Sequence, residues 1–146
     1  PGLVLLLAAP LLAAAGEQVE ALWTATKEGD VAAVKKLLAE GVDVNARNRY
    51  NATALFFACD RGHTEVARVL IEHGADVNAQ TKKKRVSSLM LAAVWDNVEL
   101  VQYLLDHDAD PNLMDIFGRT AKLLAEKKGN TAVVALLPDA PAPENG

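Results

Sequence analysis

The sequence predicts an all-α solenoid of about four helix-turn-helix units, and three observations carry that prediction. First, one phrase returns along the chain as Gly41-Val-Asp-Val-Asn-Ala46, Gly74-Ala-Asp-Val-Asn-Ala79 and Asp108-Ala-Asp-Pro-Asn-Leu113. Its asparagines, Asn45, Asn78 and Asn112, stand 33 and then 34 residues apart. A period of this length marks a repeat architecture. Second, two short apolar runs lie between successive phrases. Third, Ala25, Ala58, Ala92 and Ala125 fall in one register of all four units, which predicts close helix contact where nothing larger fits.

Taken in order, the first unit opens at Leu22-Trp-Thr-Ala-Thr-Lys-Glu-Gly29 with no preceding turn. The second and third open at Thr53-Ala-Leu-Phe-Phe-Ala and Ser87-Ser-Leu-Met-Leu-Ala, the fourth at Thr120-Ala-Lys-Leu-Leu-Ala. Each is followed by a second run: Val31 to Leu38, Val66 to Ile71, Leu100 to Leu105 and Val133 to Leu137. In one of these, Val66, Val69, Leu70 and His73 recur at three- and four-residue spacing, one face of an amphipathic helix. Gly29, Gly62 and Gly129 break the helices apart, since a positive φ costs glycine nothing. Asp30, Thr64 and Thr131 come next and are expected to cap the following helix. Gly41 and Gly74 supply left-handed ends to the second helices, with Asp108 in their place in the third unit. A pair of such short helices cannot bury its own apolar face, so neighbouring units must stack.

The chain resembles the ankyrin-repeat family. The Thr/Ser-Ala/Ser-Leu-x-x-Ala starts, the Gly-His and Gly-Asn links, the paired Val/Leu positions and the Gly-Ala-Asp-Val-Asn-Ala phrases carry the resemblance. It covers residues 17–137, divided into units at 17–47, 48–80, 81–114 and 115–137. The chain departs from the family pattern where Pro is expected, at Ala54, Ser88 and Ala121, and where His is expected, at Trp23, Phe56, Met90 and Leu123. Lys122 replaces the usual Leu, as suits a terminal repeat with one face in water. The resemblance implies a non-catalytic protein-protein interaction module.

The two ends differ from the repeats. Leu3 to Ala15 carries no charge and closes on Ala13-Ala14-Ala15, which reads as the apolar region and cleavage site of a secretory signal peptide over residues 1–16. The initiating Met and a basic residue are missing, which predicts a truncated leader. An apolar helix covering the first repeat is the alternative. Too short to be a secure membrane span, and interrupted by Pro10, the segment is not expected to serve as a stable membrane anchor. The expectation is therefore an exported bacterial protein, periplasmic or secreted, with a cytoplasmic one if the leader is absent. Residues 138–146, Pro-rich and short, are expected to be disordered.

Composition narrows the chemistry. With 146 residues the chain is one domain by size, and its single cysteine, Cys59, allows no internal disulfide and reads as a small core residue. His73 and His107 hold equivalent positions in adjacent units, about 10 Å apart, too far to share a zinc ion bound at ~2 Å. The Asp-x-Asn phrase lacks the ligand alternation and terminal Glu of a calcium loop, so its side chains are expected to satisfy their own turn. No nucleophile-base set or phosphate loop appears. No cofactor is expected, and the chain reads as a monomer that is not an enzyme.

By the resemblance, a partner meets the turn tips and the exposed side of the first helices, a concave face. The net charge is −4, yet eleven of fifteen Lys and Arg fall on that face by position, with Glu28, Asp60 and Asp115 as its acids. The remaining acids crowd the opposite edge, which predicts a basic groove that steers an acidic protein partner. The candidate binding residues are Arg47, Arg49, Tyr50, Arg61, Lys82, Lys83, Lys84, Arg85, Trp95, Ile116, Phe117, Lys127 and Lys128. Trp95 stands out because tryptophan and arginine dominate binding hot spots, with Phe117 and Tyr50 expected as its neighbours. The plainer reading makes Lys82–Arg85 a solvated tip, lengthened by the third unit's extra residue. A different class of function makes that run a nucleic-acid contact or nuclear-import signal, though nucleic acid is not the expected partner.

Overall fold

The computed structural model describes the backbone of residues 2–141 and the side chains of residues 14–141. Eight α-helices occupy these residues, with no strand among them. They pair as α1 (Gly2–Glu28) with α2 (Val31–Ala39), α3 (Ala54–Arg61) with α4 (Thr64–Glu72), α5 (Ser88–Val94) with α6 (Val98–Asp106), and α7 (Ala121–Lys128) with α8 (Thr131–Leu136). The first helices of the pairs stack in one layer, α1 on α3, α3 on α5 and α5 on α7; α2, α4, α6 and α8 form the second layer. Apolar residues facing between the layers make one continuous core. Leu22, Leu55 and Leu89 anchor the first layer and Val34, Val66, Leu70, Leu100, Leu104 and Val133 the second, all inaccessible or nearly so. Ala25, Ala58, Ala92 and Ala125 are buried in one row, as their shared register predicts.

Local chemistry sets the helix boundaries. Thr53, Ser87 and Thr120 cap α3, α5 and α7 by accepting from the amides of Phe56, Met90 and Leu123, which satisfies a donor the helix start leaves free. Asp30 caps α2 as expected. Thr64 and Thr131 do not cap: they are the first helical residues, and the cap positions belong to His63 and Asn130. The shift of one residue has a reason. His63, Asn97 and Asn130 are equivalent, and each reaches back to the unit before it. His63 Nε2 donates to the Lys27 carbonyl at 3.0 Å. Asn97 Nδ2 donates to Thr64 Oγ1, and Asn130 Nδ2 to the Ala93 and Val94 carbonyls. Gly29 is required at its place twice over, because its φ is +74° and a Cβ there would meet the His63 ring at 2.7 Å. In the third unit Asp96 takes the corresponding left-handed conformation, at φ +55°.

The recurring Asp-x-Asn phrase divides its labour in a way the sequence reading did not anticipate. Asp43, Asp76 and Asp110 do satisfy their own turns, each accepting from the amide two residues on. The asparagines instead bind across units. Asn45 donates from Nδ2 to the Gly74 carbonyl and accepts from the Asp76 amide at 2.7 Å. Asn78 repeats both bonds with the Asp108 carbonyl and the Asp110 amide. One side-chain amide thus matches a donor and an acceptor of the next turn.

α1 runs without a break from the expected leader into the first repeat, and Pro10 lies within its bounds. No helix among the described residues is long and apolar enough to cross a membrane. The expected disordered tail falls largely outside the described residues. Within them, Asp139 pairs with Lys122 at 2.7 Å. Lys122, expected to face water, is instead half-buried and charge-paired at the open end of the stack.

The bridging amides lead to a measurable expectation. Asn78→Ala removes two bonds to the following turn, so urea denaturation should show a loss of about 1–3 kcal/mol. The equivalent substitution at Asn112, whose side chain has no following turn among the described residues to bind, should cost much less.

Candidate functional site

Each turn tip is a short loop closed by hydrogen bonds to its first residue. Asn48 Oδ1 accepts from the amides of Tyr50 and Ala52. Asp115 Oδ1 accepts from Phe117 and Arg119, while its Oδ2 takes the Arg119 guanidinium at 2.8 Å. Thr81 does the same in the third unit with one residue more: its Oγ1 accepts from Val86, and its amide donates to the Val86 carbonyl. Asn51, Arg85 and Gly118 each precede the closing residue with a positive φ, at 63°, 55° and 73°. The extra residue of the third unit is therefore taken up inside a closed loop.

Asp115 is buried beneath its tip. Burial pushes its carboxyl up, but the Arg119 backbone and guanidinium and the Phe117 amide outweigh that and hold it below the usual carboxylate range. The tips are also joined edge to edge. The Lys82 amide donates to the Tyr50 carbonyl and the Ile116 amide to the Lys84 carbonyl, both at 3.0 Å. This brings Arg49, Tyr50, Lys82, Lys83, Lys84, Arg85, Ile116 and Phe117 into one continuous border. Among the described residues none of its cations makes an ion pair. Arg49 lies over the Tyr50 ring at 4.8 Å, so cation and aromatic are paired there. Ile116 and Phe117 are 57% and 72% exposed, far outside what a folded core requires of such residues.

The expected single patch is in fact two. Trp95 is 59% exposed but ends α5, where it lines a hollow with Asp60, Arg61 and Gly62. The tips lie at the other end of the same helices, about 10 Å away for seven residues at ~1.5 Å each. Phe117 and Tyr50 are thus not neighbours of Trp95. Arg61, Trp95, Lys127 and Lys128 occupy the helix-end border, where Asp60, Asp96 and Glu126 interleave with them. That border is mixed in charge.

Arg47 and the acids of the face also depart from expectation. Arg47 is bound to Asp76 of the next unit at 3.2 Å, so its charge is partly met by the acidic edge. The face also holds an acid not counted on it, Glu20, which lines a hollow with Trp23, Lys27, Arg49, Tyr50 and Phe57, while Glu126 lines a hollow with Met114, Lys122 and Asp139 at the open end of the stack. Position within α1 was the available signal for Glu20, which lies two turns before Lys27. The wall of the hollow at Glu20 is held by internal contacts, with Lys27 over the Phe57 ring at 4.3 Å and Trp23 edge-on to Phe57. What remains strongly positive is the tip border.

The histidines of the second helices and the single cysteine are held in the scaffold. His73 and His107 turn Nδ1 onto the carbonyls of Val69 and Tyr103 in their own helices. Cys59 is buried, and desolvation pushes its thiol up to about 12 despite a hydrogen bond with Ser88, far from the thiolate that reactivity needs. No group of metal-binding side chains occurs among the described residues.

A stacked-helix scaffold that displays loop tips and an inner helical face is a protein-interaction class of molecule. A model of ankyrin repeats, in three copies, matches residues 5–81 and 22–115, and the chain belongs to the ankyrin-repeat family. Members of this family are generally protein-interaction modules and typically non-catalytic. Potassium channel AKT1 of Arabidopsis thaliana is 42% identical over 50 residues, which is 34% of this chain. The matched stretch spans 6% of the channel's own length.

The buried tip carboxylate gives a pH-dependent expectation. Its folded pKa lies below the unfolded value of about 4, so its stabilisation is present above that value and lost as pH falls through the folded one. Asp115→Asn should cost about 1–3 kcal/mol near neutrality, and thermal scans should show the gap from wild type closing in acid.

Proposed function

We propose that this chain is a non-catalytic binding module that recognises the acidic surface of another protein through its turn-tip border. The observation that carries the reading is the row of Arg49, Lys82, Lys83, Lys84 and Arg85 on adjoining tips, flanked by exposed Tyr50, Ile116 and Phe117. Unpaired cations on a rim raise the encounter rate with an opposite charge, and neighbouring apolar side chains supply the area that holds the complex. Trp95 with Arg61, Lys127 and Lys128 forms a second, mixed-charge contact border. The monomer is the working unit in this reading.

Lys82→Glu, Lys83→Glu and Lys84→Glu together should abolish capture of the partner while leaving thermal unfolding unchanged, since all three side chains are exposed. Trp95→Ala should weaken capture less than the triple change. Capture that survives the triple reversal would sink the tip assignment. Steeply salt-dependent binding to duplex DNA, lost in the same variant, would favour a nucleic-acid contact instead.

The uncharged run before Gly16 supports export as the location, with residues 1–16 as a leader. Sequencing the N-terminus of the mature protein checks this: a start near Gly16 is the expected result, and an intact leader would return the protein to the cytoplasm.

A further inference from the structure

Between the tips of the second and third units lies a hollow of about 250 Å³, lined by Tyr50, Phe56, Thr81, Lys83, Lys84 and Val86. Its wall is almost wholly apolar. That follows from its makers: two aromatic rings on one side, Val86 on the other, and two lysines whose stems line apolar surface while their ammonium groups reach water. Hollows that take cofactors or drug-sized ligands run from about 300 Å³ upward, so this one suits a single side chain.

The longer third tip supplies most of the wall of the hollow. Thr81, Lys83, Lys84 and Val86 all come from that loop, whose closure by Thr81 fixes its shape. The backbone bond from Lys82 to Tyr50 fixes its distance from the aromatic side. The cavity is therefore set before anything binds, which limits the ordering cost of association.

We propose that this hollow anchors one bulky apolar side chain, the size of Phe or Leu, projecting from an acidic peptide segment. The inference rests on the acidic-partner reading above and names the feature such a partner must carry. Charge selects the segment: a chain whose side chain enters the hollow meets Lys83 and Lys84 in its wall, with Arg49 over the Tyr50 ring beside them, so flanking Asp or Glu are favoured and Lys or Arg repelled. Shape selects the residue, since Ala leaves the two rings unfilled. The hollow at Glu20 and Trp23 is not the anchor, because its wall is as polar as it is apolar and carries the Glu20 carboxylate, which repels an acidic segment.

The test uses the full chain labelled with nitrogen-15 and three synthetic peptides, Glu-Asp-Phe-Asp-Glu, Glu-Asp-Ala-Asp-Glu and Lys-Lys-Phe-Lys-Lys, titrated into the low-millimolar range. The Phe-acidic peptide should shift the amides of Tyr50, Phe56 and residues 81–86, and should bind about tenfold or more tighter than its Ala counterpart. Tyr50→Ala keeps the backbone carbonyl that holds the loop and should erase most of that difference with unchanged thermal unfolding. Equal affinity for Phe and Ala peptides, with both lost in a Lys83→Glu and Lys84→Glu variant, would overturn the anchor and leave the acidic-partner reading standing. Equal affinity for the two Phe peptides would overturn the acidic reading and with it the proposal as stated. Absence of any shift overturns both.

Discussion

Helix pairs of this length cannot enclose their own apolar face, and everything else in the molecule follows from the need for neighbours. Burial between layers provides the driving force, but apolar contact alone is indifferent to sliding. The side-chain amides of Asn45 and Asn78 remove that freedom, because each matches one donor and one acceptor of the next turn. The links at His63, Asn97 and Asn130 do the same between the helices themselves. Two rows of polar bonds therefore fix the register of a stack that hydrophobic burial holds together.

Much of this was legible in the chain. The spacing of the asparagines, the row of alanines and the four similar helix starts specified the architecture, because each is a strictly local requirement repeated in phase. Two of the three expected caps, Thr64 and Thr131, give way to the residue before them, while Asp30 caps α2 as expected. Thr64 has the right side chain for a cap, but His63 and its equivalents are needed for bonds to the preceding unit, and the helix begins after them. The asparagines were misjudged in the same way. Their partners lie some 30 residues away in sequence, at Gly74, Asp76, Asp108 and Asp110, and no local rule points there.

The binding face was less legible than the scaffold. Position in a repeat told which residues were exposed, and Tyr50, Trp95, Ile116 and Phe117 are exposed as expected. It did not tell that the tips and the far ends of α3, α5 and α7 are separate borders, since that depends on the length of the intervening helix. Nor did it tell which charges remain free. Arg47 is drawn to Asp76 of the following turn, and Arg119 is held by the buried Asp115. Counting cations by face overstates the basic character of the groove: Arg47 and Arg119 are paired, and acids interleave with Arg61, Lys127 and Lys128 at the far border.

The additional residue in the loop from Thr81 to Val86 behaves like an interstitial atom in a lattice. Its distortion is confined to the margin, since Ala92 still lies in the alanine row and Asn78 still reaches the turn beyond it. A stack of this kind can therefore acquire a new surface relief at a single rung without a dislocation in the layers beneath. That tolerance lets recognition drift independently of the fold that displays it.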